Sequence, residues 1–199
     1  MIRLNPISAD INADICVKLE YANPSGSLKD RVAHAIIEKA EQRGELKPGM
    51  ILLEGTTGNT GIATAMVGAA KGYQVIIVMP EGMSEERKKI IQAYGAELVL
   101  TPGAETDVDM VLEEVEKIKQ KYGDKVFEIG QFYRSENVQA HMENTAPEIW
   151  VQTAGNIDVF IMCQGTGGTV TGTARYLKEK NPTSFSWDAF KKRFVFVIL

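Results

Sequence analysis

Apolar residues recur at Leu28, Val32, Ile36 and Ala40, with Ala33 and Ile37 beside them, a spacing that predicts a helix over 28–43. Ser27 is a good N-cap, Asp30 completes an imperfect capping box, and Gly44 with Pro48-Gly49 closes the segment. Before it, 2–4 and 15–19 read as short strands separated by a polar turn over 8–14. After it a rhythm sets in. The apolar run 51–53 leads into a glycine- and threonine-rich stretch and a small-residue helix over 60–71. Residues 74–79 read as a strand buried on both faces. Ser84 opens the next helix, with Glu85 and Glu86 in its first turn and Gly95 just past its end. Leu98, Val99 and Leu100 form another strand. Val108, Val111, Leu112, Val115, Ile118 and Tyr122 then repeat at helical spacing. A strand over 126–129, a mostly helical 135–151, a strand over 159–163 and a helix ending near Asn181-Pro182 complete the pattern.

Alternating strands and helices with continuously apolar strands predict an α/β protein with mainly parallel sheets and flanking helices. Residues 183–199 break the rhythm. Phe194 to Leu199 read as a strand with no crossover helix after it, an uncovered apolar edge that predicts poor solubility or self-association.

Composition narrows the function classes. The 199 residues are 44% hydrophobic and 24% charged, as in an ordinary globular protein, and suggest one large or two small domains. A net charge of −4 gives no support for nucleic acid or an anionic membrane surface as a partner. No run reaches the roughly 18 apolar residues of a membrane span, and the N-terminus lacks a secretory signal. Cys16 and Cys163 lie in apolar, strand-like segments and read as two buried reduced thiols. His34 and His141 have no ligand spacing to Cys, Asp or Glu, so no metal site is expected.

Three stretches carry candidate chemistry. Lys29 falls in the first turn of the first long helix, beside an apolar face. Both the positive helix end and the apolar neighbours disfavour an ammonium and push the side chain toward a neutral, nucleophilic amine. The same position also suits a lysine snorkelling to water. Gly165-Thr166-Gly167-Gly168-Thr169 follows a strand and opens a helix, so its backbone N–H groups and hydroxyls converge as for a phosphate. It is neither a Walker A loop nor a dinucleotide fingerprint, and a tight structural turn explains it too. Gly55-Thr56-Thr57-Gly58-Asn59-Thr60-Gly61 offers neutral donors suited to a carboxylate, or a hydroxyl-rich helix cap.

Taken together, these motifs resemble one family. The stretch 23–31, the 56–61 loop, Met79-Pro80-Glu81-Gly82-Met83-Ser84, the run 95–103, Gln131-Phe132, Pro147-Glu148-Ile149-Trp150 and the 165–169 loop occur in the order seen in cysteine synthases. These are pyridoxal-phosphate enzymes of the tryptophan-synthase-like fold, which also includes cystathionine β-synthase and the serine/threonine dehydratases. The resemblance implies that Lys29 holds pyridoxal 5′-phosphate covalently and moves the substrate's α-proton. It implies that Asn59 contacts the pyridine 3′-oxygen and that Gly165, Thr166, Gly167, Gly168 and Thr169 cradle the phosphate. Thr56, Thr57, Asn59, Thr60 and Gln131 would receive an amino-acid carboxylate. The implied reaction converts O-acetyl-L-serine and sulfide into L-cysteine and acetate, in the cytoplasm, and the full-length family implies a homodimer. The Thr-Thr-Gly-Asn-Thr-Gly loop favours this over the dehydratases, whose loop typically reads Gly-Asn-His; the alternative is an inactive relative that binds an anion or a partner.

The resemblance divides the chain into a larger cofactor domain, 1–34 with 135–199, and a smaller mobile domain, 35–134. Gly55 and Thr57 stand where the family usually has proline and serine. The family pattern also continues beyond residue 182, and nothing in 183–199 matches it. The C-terminal part is therefore expected to be missing, as a fragment, an early stop or a frameshift would leave it, with little activity from the chain alone.

Overall fold

The computed structural model describes residues 1–4, 13–182 and 192–198. The polar turn expected over 8–14 lies mostly outside them. The chain forms two compact units, Met1–Arg31 with Ser135–Leu199, and Val32–Arg134.

The first unit carries β1 (Ile2–Arg3), β2 (Ala13–Leu19), the start of α1 (Lys29–Gln42), α5 (Glu136–Ala140), α6 (Ala146–Gln152), β7 (Val159–Ile161), α7 (Gly168–Lys180) and β8 (Lys192–Ile198). Its sheet order is β1-β2-β8-β7, parallel except for β1. The segment expected to end the sheet as an uncovered edge is instead an interior strand. β8 pairs with β2 along the full register Ala13↔Lys192 to Leu19↔Ile198, and with β7 on its other side. Ile149, Ile157 and Leu177 form the core here, with Cys16, Trp150, Phe160 and Tyr176 packed against them.

The second unit holds β3 (Ile51–Gly55), α2 (Asn59–Lys71), β4 (Gln74–Pro80), α3 (Glu85–Ala93), β5 (Glu97–Thr101), α4 (Val108–Tyr122) and β6 (Val126–Glu128). Its sheet is wholly parallel in the order β5-β4-β3-β6. Every residue of β4 after Gln74 is buried, which is why that strand is a continuous apolar run. The apolar stripe of α4 meets Leu53, Ile76 and Val78 through Val111, Val115 and Ile118.

Local corrections follow from geometry. Ser84 occupies the N-cap of α3 without a side-chain capping bond. The helical stretch after Ser135 is broken by a π-turn over His141–Thr145 between α5 and α6. β7 ends at Ile161, so Cys163 lies beyond the strand and is exposed rather than buried, while Cys16 is half-buried; both thiols are free.

Candidate active site

In the first unit the 23–31 turn is built by side chains that bond back to it. Asn23 Nδ2 donates to the Ser27 carbonyl at 3.1 Å and to Glu20 Oε2 at 2.7 Å. Ser27 Oγ accepts the Lys29 N–H at 3.2 Å, the capping bond its position predicts. Asp30 does not close the expected box; its carboxylate turns back to accept from the Ser25 N–H at 2.7 Å and from the Ser25 hydroxyl. Arg31 then clamps the helix start. It donates through two bonds to Glu20, at 2.7 and 3.0 Å, and through two to Glu148, at 2.7 and 2.8 Å. Lys18 Nζ closes the cluster on Glu148 at 2.6 Å. Burial opposes ionisation of Glu148, but its bonds to Arg31 and Lys18 prevail and hold it down at about 2.

Within this frame Lys29 stands apart. Its side chain is half-buried and, among the described residues, has neither hydrogen bond nor ion pair. Burial without a counter-charge lowers its pKa. The snorkelling alternative would put this amine in water, and burial disfavours that.

The 165–169 loop lies in the same unit. Gly167 has φ +82°, a left-handed conformation open to glycine, and α7 begins at Gly168. A Cβ at Gly168 would overlap the amide of Asn137, whereas one at Gly165 meets nothing within 4 Å. Asn137 Nδ2 donates to Thr166 Oγ1 at 2.9 Å, which leaves the Thr166 proton free to donate elsewhere. Thr169 Oγ1 lies 3.1 Å from His141 Nε2, and His141 Nδ1 lies 2.9 Å from Thr145 Oγ1. The first N–H groups of α7 lack intrahelical acceptors. The Gly168 N–H makes a long bond to Thr166 Oγ1 at 3.4 Å; with it, glycine backbone, the helix-end N–H groups and two anchored hydroxyls are a donor set suited to a phosphate.

The other candidate residues belong to the second unit. Thr56 is buried and its hydroxyl accepts the Gly58 N–H at 3.2 Å; Thr57 is half-buried and Asn59 exposed. α2 starts at Asn59, so its first N–H groups are free of helical acceptors. Thr60 donates to Gln131 Oε1 at 2.7 Å. A cavity of about 290 Å³ is lined by Thr56, Thr57 and Gln131 together with Glu54, Val111 and Phe132. Thr56, Thr57, Thr60 and Gln131 thus share one locality, and Lys29 and the 165–169 loop share the first unit.

Sequence reasoning passed over Asn137, Glu54 and the role of His141. The i,i+4 pair His141 and Thr145 was a signal for the last, and a single acid ending the apolar run 51–54 was a signal for Glu54. Among the described residues no group of three or more His, Cys, Asp or Glu is placed to hold a metal ion.

An α/β fold with a half-buried lysine that is unpaired among the described residues, and a glycine-threonine loop opening a helix, suits a cofactor-dependent enzyme class. Residues 1–188 match the family of pyridoxal-phosphate dependent enzymes, and the chain belongs to that family. Its fold is the tryptophan-synthase-like fold of those enzymes. It is 46% identical to a cysteine synthase of Staphylococcus aureus over 183 residues, 92% of this chain and 58% of that protein. The crystal structure of a cysteine synthase from Entamoeba histolytica superposes with TM-score 0.85 at 44% identity, covering 90% of this chain and 54% of that one. A hydrogen sulfide-producing enzyme from Fusobacterium nucleatum is 44% identical with TM-score 0.82, over 86% of this chain and 55% of its own. The chain thus spans little more than half the length of these relatives.

Proposed function

We propose that this chain is the cofactor- and substrate-binding portion of a cysteine synthase, which converts O-acetyl-L-serine and sulfide into L-cysteine and acetate. The observation that carries the reading is Lys29, a half-buried amine without a counter-charge among the described residues, in a turn fixed by Asn23, Ser27, Asp30 and Arg31. A neutral amine is what condensation with an aldehyde requires. Pyridoxal phosphate, when bound, supplies the electron sink that makes an amino acid's α-proton removable. Lys29 holds that group and then serves as the base at the substrate Cα. Gly165, Thr166, Gly167, Gly168 and Thr169 hold its phosphate through backbone donors and the two hydroxyls. Asn59 is assigned to the ring 3′-oxygen, while Thr56, Thr57, Asn59, Thr60 and Gln131 take the substrate carboxylate.

Several observations support the wider reading. The relatives named cysteine synthase match almost the whole chain. Two free cysteines suit a reducing cytoplasm. Among the described residues no helix is long and apolar enough to cross a membrane. The assembly assigned to the full-length protein is a homodimer.

The test is spectroscopic. The chain loaded with pyridoxal phosphate should absorb in the visible, and O-acetyl-L-serine should change that spectrum while releasing acetate. Lys29→Ala should abolish the starting band. A loaded chain whose spectrum ignores O-acetyl-L-serine, at concentrations that saturate its relatives, overturns the proposal.

A further inference from the structure

Glu54 is a carboxylic acid at the end of β3, 2% exposed, in a strand otherwise apolar up to Gly55. It lines the same cavity as Thr56, Thr57 and Gln131. Its Oε2 accepts the Gly130 N–H at 2.9 Å, and its carboxyl also hydrogen-bonds the Gln131 side chain. Gly130 has φ +59°, and a Cβ there would overlap the Tyr133 ring, so this tight turn can be approached only through its backbone. The far side of the Gln131 amide is fixed as well, because Oε1 accepts from the Thr60 hydroxyl at 2.7 Å. With its oxygen held by Thr60, the amide turns its Nε2 toward Glu54.

We propose that Glu54 is a positioning residue that sets which way the Gln131 amide faces, and that loss of its proton turns this cavity against a carboxylate ligand. The inference rests on the reading of the 56–60 loop and Gln131 as the carboxylate receptor. As a neutral acid, Glu54 accepts from Gly130 and adds no charge to the cavity. As a carboxylate it binds the Gln131 N–H strongly and presents a second anion to any anionic guest.

The surroundings favour the neutral form. Burial is the largest influence, and with Glu128 on β6 it pushes the Glu54 acid up to about 8, against the Gly130 N–H, the Gln131 amide and Arg134. Glu128 is itself paired to Lys119 of α4 at 2.9 Å. Glu105 and Tyr133 line the same cavity. α4 offers Val111 and Val115 toward it, and β4 pairs Ile77 with Glu54. Among the described residues Arg134 is the cation acting on Glu54, and it makes no ion pair with it of the kind Arg31 makes with Glu20.

The experiment follows backbone and side-chain amide resonances of the isotope-labelled 199-residue chain from about pH 6 to pH 10, with and without acetate as the carboxylate probe. In the unmodified protein the Gly130 N–H and Gln131 side-chain signals should move together through one inflection near 8. Acetate affinity, read from Thr57 and Gln131 shifts, should fall about tenfold across that inflection, the size of one unit charge felt at roughly 10 Å in a protein-like dielectric. Glu54→Gln, which keeps shape and removes the proton, should lose the inflection and bind acetate independently of pH. Gly130 and Gln131 signals that stay flat, or a Glu54→Gln protein that titrates as the parent does, overturn the inference, and the first readout needs no variant. Acetate that binds at both residues without pH dependence overturns it alone. Acetate that shifts neither residue in either protein overturns the carboxylate reading as well.

Discussion

His141 Nε2 lies 3.1 Å from the Thr169 hydroxyl, so a buried imidazole inside a π-turn backs one of the two hydroxyls of the 165–169 loop. In the tautomer with its proton on Nε2, the ring donates to Thr169 and turns the threonine proton outward, toward an anion.

That arrangement needs a neutral ring. Burial, seconded by the Lys29 charge, pushes His141 down to about 4 from 6.5. Below pH 6.5 the unfolded chain therefore takes a proton that the folded chain refuses, and stability falls as pH drops from about 6.5 to about 4. His141→Gln should flatten this acid limb, by on the order of 2–3 kcal/mol across the window. Denaturant melts of both proteins at stepped pH measure it, and parallel acid limbs would count against the assignment.

The glycines of the 165–169 loop and of α7 divide by what surrounds them. A Cβ at Gly172 would overlap the Val138 carbonyl, which is backbone and cannot turn away, so Gly172→Ala should cost about 1–3 kcal/mol of stability. A Cβ at Gly168 meets only the Asn137 amide, which can move if it releases Thr166. Gly168→Ala should therefore cost less stability but weaken pyridoxal phosphate binding severalfold. Gly165→Ala, which meets nothing, should fold like the parent. Thermal melts and cofactor titrations of the three variants separate these outcomes.

Much of this was legible in the residues, where the governing interactions are local. Val108 to Tyr122 gives its helix by spacing, and Ser27 gives the cap of the helix start that holds Lys29. What could not be read depends on distant pairing. The place of Lys192–Ile198 between β2 and β7 is fixed by partners more than 170 and 30 residues away, so an apolar tail read as an exposed edge. Cys163 was misplaced because an apolar run shows a strand but not where its ladder stops. Glu54 drew no attention in the sequence, since its partners Gly130 and Gln131 come from the turn that follows β6, far along the chain. The π-turn leaves no trace in periodicity, because it inserts into a helix whose flanks keep their own spacing.

Arg31 is expected to be irreplaceable by lysine. Its fork satisfies Glu20, which is 2% exposed, and Glu148 at once. Arg31→Leu would leave the Glu20 carboxylate without its main partner, at a cost of about 3–5 kcal/mol, and Arg31→Lys should recover only part of it. The Glu148 share has a stated pH window: its folded value is depressed, so its contribution is present above about 4.5 and lost as pH falls toward about 2. Urea melts at neutral and acid pH check both statements.

The last expectation contrasts two lysines of the first unit. Lys18 is 6% exposed, and its nitrogen lies 2.6 Å from Glu148 and 3.8 Å from Glu20, so carboxylates occupy it. Lys29 is half-buried and has no such partner among the described residues, and burial lowers its pKa. Reaction with an aldehyde requires the free base, so the two should behave oppositely toward pyridoxal phosphate. Exposed lysines such as Lys47 and Lys125 set the background. Borohydride trapping with one equivalent of pyridoxal phosphate, followed by peptide mapping, should place the adduct on Lys29. Lys29 should be labelled ahead of Lys47 and Lys125, because burial lowers its pKa and leaves more of its amine neutral. Lys18 should stay unmodified throughout, and Glu148→Gln should be the change that first exposes it to labelling. Adduct shared evenly between Lys29 and Lys47, or found on Lys18 in the unmodified protein, would sink the assignment of Lys29 as the cofactor-holding amine.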